Sequence, residues 1–501
     1  MQRHSGRTRI VVVGGGIAGL AAAHRLLERC AQDGLPLEVR LLEAAARVGG
    51  SVSTTHRDGF ILESGPDTIF TDKPWGVDLI RRLGLGDQII GTSEAHRRTF
   101  VARGGVLHPL PEGFALIGPT RIRPFVQTGL LSWPGKVRAG MDLVLPRGRP
   151  VDDESLASFV RRRFGREFLD RLAQPMIGGI YGADPERLSL RATFPQFLQM
   201  EATYRSLILG LRRMRPAGRH AGGTSSGPRY GLFVTLDKGL QDLVDALVHR
   251  LPAETLHLGT AVDGIAHTGH GWTIRLADST HVQADGLILA LPAFEVARLT
   301  RDMDRDLTRQ LEAIPYASSV TINLAYRRDA IGHPLDGFGF VVPACEGRTI
   351  IACSFSSIKF AHRAPVGYVL LRAFAGGALQ PEPFTWDDER LLRAVCRDLE
   401  ELLAIHAPPL WSQLVRHARV MPQYQVGHLA GLAALEQTLQ RWPTLSWPAT
   451  PTAGSASPTS YTAGRWPPIR CWQRWRRYRW SPPPLVPRVI LPYNTLPGAW
   501  R

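Results

Sequence analysis

The sequence predicts an α/β protein: a parallel, dinucleotide-binding βαβ domain is entered first, an inserted mixed-sheet domain and a helical subdomain follow, and a tail of alien composition ends the chain. Three observations carry this. Arg9 to Gly19 reads R-I-V-V-V-G-G-G-I-A-G, which describes a strand, a tight turn and a helix start. The middle of the chain switches from helical spacing (Pro124 to Arg219) to small and apolar residues in alternation (Pro315 to Phe360). From Trp447 onward all periodicity is lost.

Ile10 to Val13 is a β-branched run suited to a parallel strand buried on both faces. Gly14, Gly16 and Gly19 then form G-x-G-x-x-G within Gly14-Gly15-Gly16-Ile17-Ala18-Gly19: one glycine for the turn, one for backbone approach to a pyrophosphate, one for close helix–strand packing. The phosphate would sit on the helix N-terminus, where free N–H groups and the dipole favour an anion. Ala21 to Arg29 reads as the helix, Leu37 to Leu42 as the second strand, and Glu43 stands where this Rossmann-like unit wants a carboxylate for ribose hydroxyls.

Composition bounds the rest. At 501 residues and 44% apolar, the chain can build two or three structural units. No apolar run approaches the roughly 20 residues of a membrane helix, and Met1 to Arg9 does not read as a signal peptide, so a cytoplasmic location is expected. Five scattered cysteines without C-x-x-C spacing suggest neither a metal site nor a disulfide framework. The net charge of +16 would ordinarily suggest nucleic acid, but eight of the arginines lie after Trp447, where there is no acidic residue, so no nucleic-acid partner is expected.

Glu43-Ala44 is followed by Arg47-Val48-Gly49-Gly50-Ser51 and by Glu63-Ser64-Gly65-Pro66-Asp67. Further on stand Gln174-Pro175-Met176-Ile177-Gly178-Gly179-Ile180-Tyr181-Gly182-Ala183-Asp184-Pro185 with Leu188-Ser189, and Met421-Pro422-Gln423-Tyr424. These stretches resemble the protoporphyrinogen and coproporphyrinogen III oxidase family of the flavin-containing amine oxidase superfamily. The resemblance implies FAD, held by Gly14 to Gly19, Glu43, Ala44, Arg47, Gly50, Ser51, Gly65, Pro66, Asp67 and the backbone of Val262. It implies a porphyrinogen substrate near Arg98, Gly178 and Gly179, and O2 as acceptor with hydrogen peroxide as product. No acid/base pair is required and none is read. A peripheral membrane contact and a homodimer are further associations that the resemblance allows. Amine or phytoene-type oxidation, and a C-terminally defective pseudoenzyme, are the alternatives.

The implied organisation is an FAD-binding domain in residues 1–96 and 221–300, rejoined at 431–446; a substrate-domain hairpin at 97–123; a helical subdomain at 124–220; and a substrate-domain sheet with helices at 301–430. Several local readings accompany it. Arg97 to Gly105 reads as a β-hairpin, Asp152 to Asp170 as one helix whose Arg161-Arg162-Arg163 run is a solvated face, and Leu256 to Ile265 as one alternating strand. Gly178 and Gly179 read as a helix end and Asp184-Pro185 as the next helix start; Gly231 to Gln241 resembles the family's re-entry into the first domain, and Asp285 to Pro292 reads as a buried strand. His417 stands where relatives usually carry a tryptophan beside the cofactor.

The tail, 447–501, holds half of the 12 tryptophans, eleven prolines and no Lys, Asp or Glu, and is expected to be disordered. Codons built from the third base of one residue and the first two of the next permit L-A-G-N-A-Y-R-G-V-G-I-P-D across Ser446 to Thr459, and then V-I-H-S-G-E-M-A-A. That is the C-terminal FAD motif of the family it resembles. The inference is a slip of reading frame near Ser446.

Overall fold

The parallel sheet expected from the first forty residues is present, and most of it comes from far along the chain. In the computed structural model, which describes residues 7–71, 74–115, 118–148, 151–213 and 233–447, five parallel strands run in the order Leu256–His257, Leu37–Leu42, Thr8–Val13, Gly286–Leu289, Leu445–Ser446. The helix Ile17–Asp33 returns the chain between the first two of these strands in sequence. It buries Leu20, Ala23 and Leu26 against one face of the sheet, together with Leu243, Val244 and Leu247 of the helix Gln241–His249. The other face packs on Trp272, on Val296 and Leu307 of the helices Ala293–Thr300 and Arg305–Glu312, and on Leu435 of the helix His428–Leu439. Apolar side chains therefore cover both faces, as the β-branched run requires.

A second, seven-stranded sheet runs in the order Trp411–Pro422, Tyr316–Arg327, Tyr368–Gly376, Ile350–Phe355, Gly339–Val341, Phe100–Arg103, Val106–Pro109. Its pairs are antiparallel except Gly339–Val341 with Phe100–Arg103, so the sheet is mixed. The amphipathic helix Asp388–Leu403 lays Leu391, Val395, Leu399 and Leu402 on one face. A helical cluster built around Phe159, Phe164, Phe168 and Phe194 reaches Val341 and Ala352 of the sheet.

The hairpin near Arg97 is observed, turning at Gly104-Gly105. Other local readings change. The helix expected over Asp152 to Asp170 runs only Leu156–Phe164; Gly165, at φ +92°, breaks it, and a wider turn at Leu169–Ala173 leads into the helix Gln174–Tyr181. Arg161, Arg162 and Arg163 are not one solvated face. Arg163 is 1% exposed, with its Nε on Asp142 and its remaining hydrogens on the carbonyls of Asp142, Pro146 and Arg205 and on the Glu201 carboxylate. Arg162 pairs with Glu154 and Glu201. Three consecutive helical residues sweep about 200° around the axis, so one of them has to turn inward.

The expected strand at Leu256 to Ile265 is two, Leu256–His257 and Val262–His267, in different sheets, with Gly259 between them. Gly178 and Gly179 lie inside the last turn of their helix, which ends at Tyr181, and Asp184-Pro185 forms a turn ahead of the helix Leu190–Thr193. Gly231 and Leu232 lie outside the described residues. Trp447 opens the supposed tail but is itself packed: it is buried beside Leu445, and its Nε1 donates to the Leu291 carbonyl at 3.0 Å. The rest of the tail, 448–501, lies outside the described residues.

Candidate cofactor and substrate site

The cradle forms where the Thr8–Val13 strand hands over to its helix. Gly14 has φ +104°, its N–H donates to the Leu42 carbonyl at 2.8 Å, and a Cβ there would lie 2.5 Å from the Ala290 carbonyl. A Cβ on Gly19 would lie 1.8 Å from the Gly14 carbonyl, so helix and strand touch there as the third fingerprint glycine requires. Gly16 differs: a Cβ would meet nothing within 4 Å. The space that the second glycine should leave for a pyrophosphate is open, at the N-cap of the Ile17–Asp33 helix. Ile17 points its side chain into the core, so only its backbone can serve a ligand, whereas Ala18 is half-buried.

Glu43 ends the Leu37–Leu42 strand and turns its carboxylate back onto the loop. One oxygen accepts the Gly15 N–H at 2.5 Å, the other the Ala45 N–H at 2.8 Å. The exposed Ala44 lies between, and Thr260 donates its N–H to the Glu43 carbonyl at 2.8 Å. Two residues on, Val262 is buried and its carbonyl is occupied by Arg298 at 3.0 Å. The side of the cradle expected to take adenosine thus assembles from two distant segments.

On the other side, Gly49 donates to the Gly15 carbonyl at 2.9 Å, and a Cβ on Gly50 would lie 3.2 Å from Gly16 Cα. Arg47 folds over this loop and binds the carbonyls of Val48, Gly50 and Val52. It shapes the glycine pair, so its guanidinium is engaged by the chain itself. A Cβ on Gly65 would lie 1.9 Å from the Ser51 carbonyl, which brings Gly65-Pro66-Asp67 against the loop.

The sheet then holds that segment from below. Asn323 Nδ2 donates to the Glu63 carbonyl at 3.2 Å, His417 Nε2 bonds the Ser64 carbonyl at 2.9 Å, and Arg372 binds the Gly65 carbonyl. Burial lowers the His417 pKa, so the ring is neutral and its Nε2–H is the donor. His417 therefore has a defined polar role on the Ser64 carbonyl. Asp67 lies between Lys359 Nζ at 3.1 Å and Arg372 at 3.6 Å; against the cost of burial, these cations hold its carboxyl down to about 2. Sequence reasoning missed Asn323, Lys359 and Arg372 as site residues. The one available signal was a polar residue interrupting an apolar strand, in V-T-I-N-L and L-L-R-A-F.

The residues expected at the substrate are less closely gathered. Gly178 and Gly179 line a small cavity of about 20 Å³ with Gly182, Gly376 and Gly377, and a Cβ on Gly179 would lie 3.2 Å from Val341. A larger cavity of about 380 Å³, lined by Arg187, Tyr316 and Gln423 among others, shares Gly377 and Ala378 with it. Arg98 lines neither. Val341 pairs with Val101, and Arg98 lies three residues further back, so it stands roughly 10 Å along the sheet from Gly179. Its guanidinium is half exposed and paired with Asp336 at 2.8 Å.

The family model for flavin containing amine oxidoreductases matches residues 17–464, and the chain belongs to that family. It is an FAD-dependent oxidoreductase, and the open Gly16 cradle with the Glu43 carboxylate beside it suits that cofactor. The chain is 36% identical over 434 residues to the coproporphyrinogen III oxidase of Bacillus subtilis (strain 168), covering 87% of this chain and 91% of that one. It is 30% identical over 451 residues to the chloroplastic protoporphyrinogen oxidase of Oryza sativa subsp. japonica, covering 86% and 81%. The solved structure of a candidate protoporphyrinogen oxidase from Exiguobacterium sp. 255-15 superposes with a TM-score of 0.79 at 30% identity, covering 95% of this chain and 98% of that one.

Proposed function

We propose that the chain oxidises a porphyrinogen to the corresponding porphyrin, with O2 as the terminal acceptor and hydrogen peroxide as the second product. The carrying observation is the likeness to coproporphyrinogen III oxidases over nearly nine-tenths of the chain. Coproporphyrinogen III is favoured over protoporphyrinogen IX because that identity exceeds the 30% shared with the rice enzyme. Bound FAD supplies the acceptor for hydride equivalents. The chain's share is placement. The Gly14 to Gly19 turn and Glu43 hold the dinucleotide, the Asn323, His417 and Arg372 clamp fixes the 63–65 segment, and the cavity of about 380 Å³ that meets the glycines Gly178, Gly179, Gly376 and Gly377 at Gly377 gives a flat macrocycle room to approach backbone. Arg98 serves a substrate carboxylate by exchanging Asp336 for it. The test is turnover on both porphyrinogens, read by porphyrin fluorescence with peroxide quantified in parallel. Faster turnover of coproporphyrinogen III supports the reading, whereas oxidation of a primary amine and of neither porphyrinogen overturns it.

We also propose a peripheral contact with anionic lipid. The helix Trp133–Gly140 and the turn after it expose Trp133, Val137, Met141 and Val144, with Trp133 67% exposed. Lys136 Nζ lies 4.6 Å over the Trp133 ring, and Arg121, Arg123 and Arg147 are exposed nearby in sequence. Apolar tips beside basic residues suit an interface bearing negative headgroups.

A further inference from the structure

Arg372 is 3% exposed on the Tyr368–Gly376 strand, between Leu371 and Ala373, both fully buried. Burying a guanidinium is unfavourable enough that an apolar side chain of similar size would often be neutral or better, so stability alone does not explain it. Its hydrogens reach the Gly65 carbonyl and Asp67, and its Nε meets no acceptor among the described residues. Asn323, its register partner on the Tyr316–Arg327 strand, likewise has a buried Oδ1 without a partner.

The surrounding charges are unevenly placed. Glu63 faces Arg363 and Arg372, and its own oxygens accept the Leu240 N–H and the Thr54 hydroxyl. Arg363 spends its hydrogens on Thr235, Leu236 and the Asp237 carbonyl, with the Asp237 carboxylate and His362 on its outer side. His417 is neutral. At Asp67 two cations, Lys359 and Arg372, meet one carboxylate.

Asp67 also lies on the redox side of the cradle. From Gly16, one path of contacts leads through Gly15 to Glu43 and Thr260, the ribose side. The other leads through Gly50 and Ser51 to Gly65, two residues from Asp67. A dinucleotide with its pyrophosphate at Gly16 and its ribose on Glu43 carries its ring along the second path.

We propose that Arg372 is a positioning residue for the flavin: it fixes Gly65 and Asp67 and, with Lys359, makes the site bind the anionic reduced flavin more tightly than the neutral oxidised one. This rests on the FAD cradle described above. Two-electron reduction leaves the ring negatively charged at neutral pH, and a preorganised buried cation stabilises charge that develops beside it.

The test measures dissociation constants for oxidised FAD in air and for reduced FAD under argon, on the full chain and on Arg372→Met, Lys359→Met and Arg372→Lys. The full chain should prefer the reduced form relative to Arg372→Met by about tenfold, which for two electrons equals a midpoint potential about 30 mV more positive. Lys359→Met, at a partly accessible side chain, should lose preference in the same direction even if Arg372→Met fails to fold. Arg372→Lys should restore the preference while both constants weaken. An unchanged ratio of the two constants in Lys359→Met and in a folded Arg372→Met overturns the proposal. If neither the chain as written nor the chain with its frame restored near Ser446 takes up either form, the cradle itself fails, a different result that overturns both readings.

Discussion

At the scale of single residues, the three fingerprint glycines separate into two that the fold needs and one that only a ligand needs. Gly16 sits at φ −64° and ψ 172°, which any residue adopts, and faces open space. Gly16→Val should therefore cost no more than about 1 kcal/mol, the loss of a tolerated N-cap residue, and shift the thermal midpoint of a chain this long by only about 1 to 2 °C, while abolishing FAD uptake seen by absorbance at saturating cofactor. Full flavin content in the variant would move the pyrophosphate elsewhere. Arg98→Ala should raise KM for a porphyrinogen more than it lowers kcat, because a carboxylate contact roughly 10 Å along the sheet from Gly179 contributes mainly uniform binding. Loss of kcat with KM intact would put Arg98 at the chemistry.

Asp67 gives a pH signature. Its folded pKa, about 2, lies below its ordinary 3.8, so the stability it contributes is fully present above about pH 4 and is lost as pH falls toward 2. Denaturant unfolding between pH 5 and 2 should show the unsubstituted chain losing about 2 kcal/mol that Asp67→Asn does not lose. Parallel acid limbs in the two proteins would remove Asp67 from the account.

At the scale of elements, what the sequence made legible was local and what it hid was long-range. Leu37 to Leu42 and the Arg97 hairpin were readable because β-branched runs and a glycine pair are local signals. The break at Gly165 is hidden by the apolar spacing on either side of it, and Arg163 cannot be separated from Arg161 without knowing that Asp142 waits across the core. The Gly14 to Gly19 turn and Glu43 were legible from one fingerprint, and the Arg47 to Asp67 contacts only through the family resemblance. The clamp on the Glu63, Ser64 and Gly65 carbonyls was not, because its side chains come from three strands brought together only by sheet pairing.

The Trp133–Gly140 helix belongs to this scale too. Trp133→Ser with Val137→Glu should release the chain from vesicles containing phosphatidylglycerol at low salt, and the unsubstituted chain should bind those but not phosphatidylcholine vesicles. Equal cosedimentation of both proteins would leave the patch without a lipid partner.

At the scale of the molecule, the Leu445–Ser446 strand pairs with Leu287 and Ile288, and the chain leaves it on the sheet edge that carries Gly14 and Ala290. Ligands of open α/β sheets bind at that edge. The shifted reading of Ser446 to Thr459 would continue from there with A-G-N-A-Y-R-G-V-G-I-P-D, whereas the chain as written places the Trp447 indole on the Leu291 carbonyl. A single-base edit restoring the frame near the Ser446 codon should tighten FAD by at least tenfold, about 1.4 kcal/mol, in fluorescence titration. Equal affinity before and after the edit would sink the frame account.

The order of strands in the parallel sheet also governs how this protein is made. Thr8–Val13 leaves the ribosome first, yet its neighbour Gly286–Leu289 follows some 280 residues later and the edge strand Leu445–Ser446 later still. Until then the nascent chain carries Ile10 to Val13 as an apolar strand with an open edge, the kind of template on which chains misassociate. The glycine turn has its local partners Leu42, Glu43 and Gly49 by then, but it lacks Ala290, against which Gly14 packs, until that segment is made. We expect the open strand to need protection from misassociation over that interval, and full FAD affinity to be reached only once the later strands have been added.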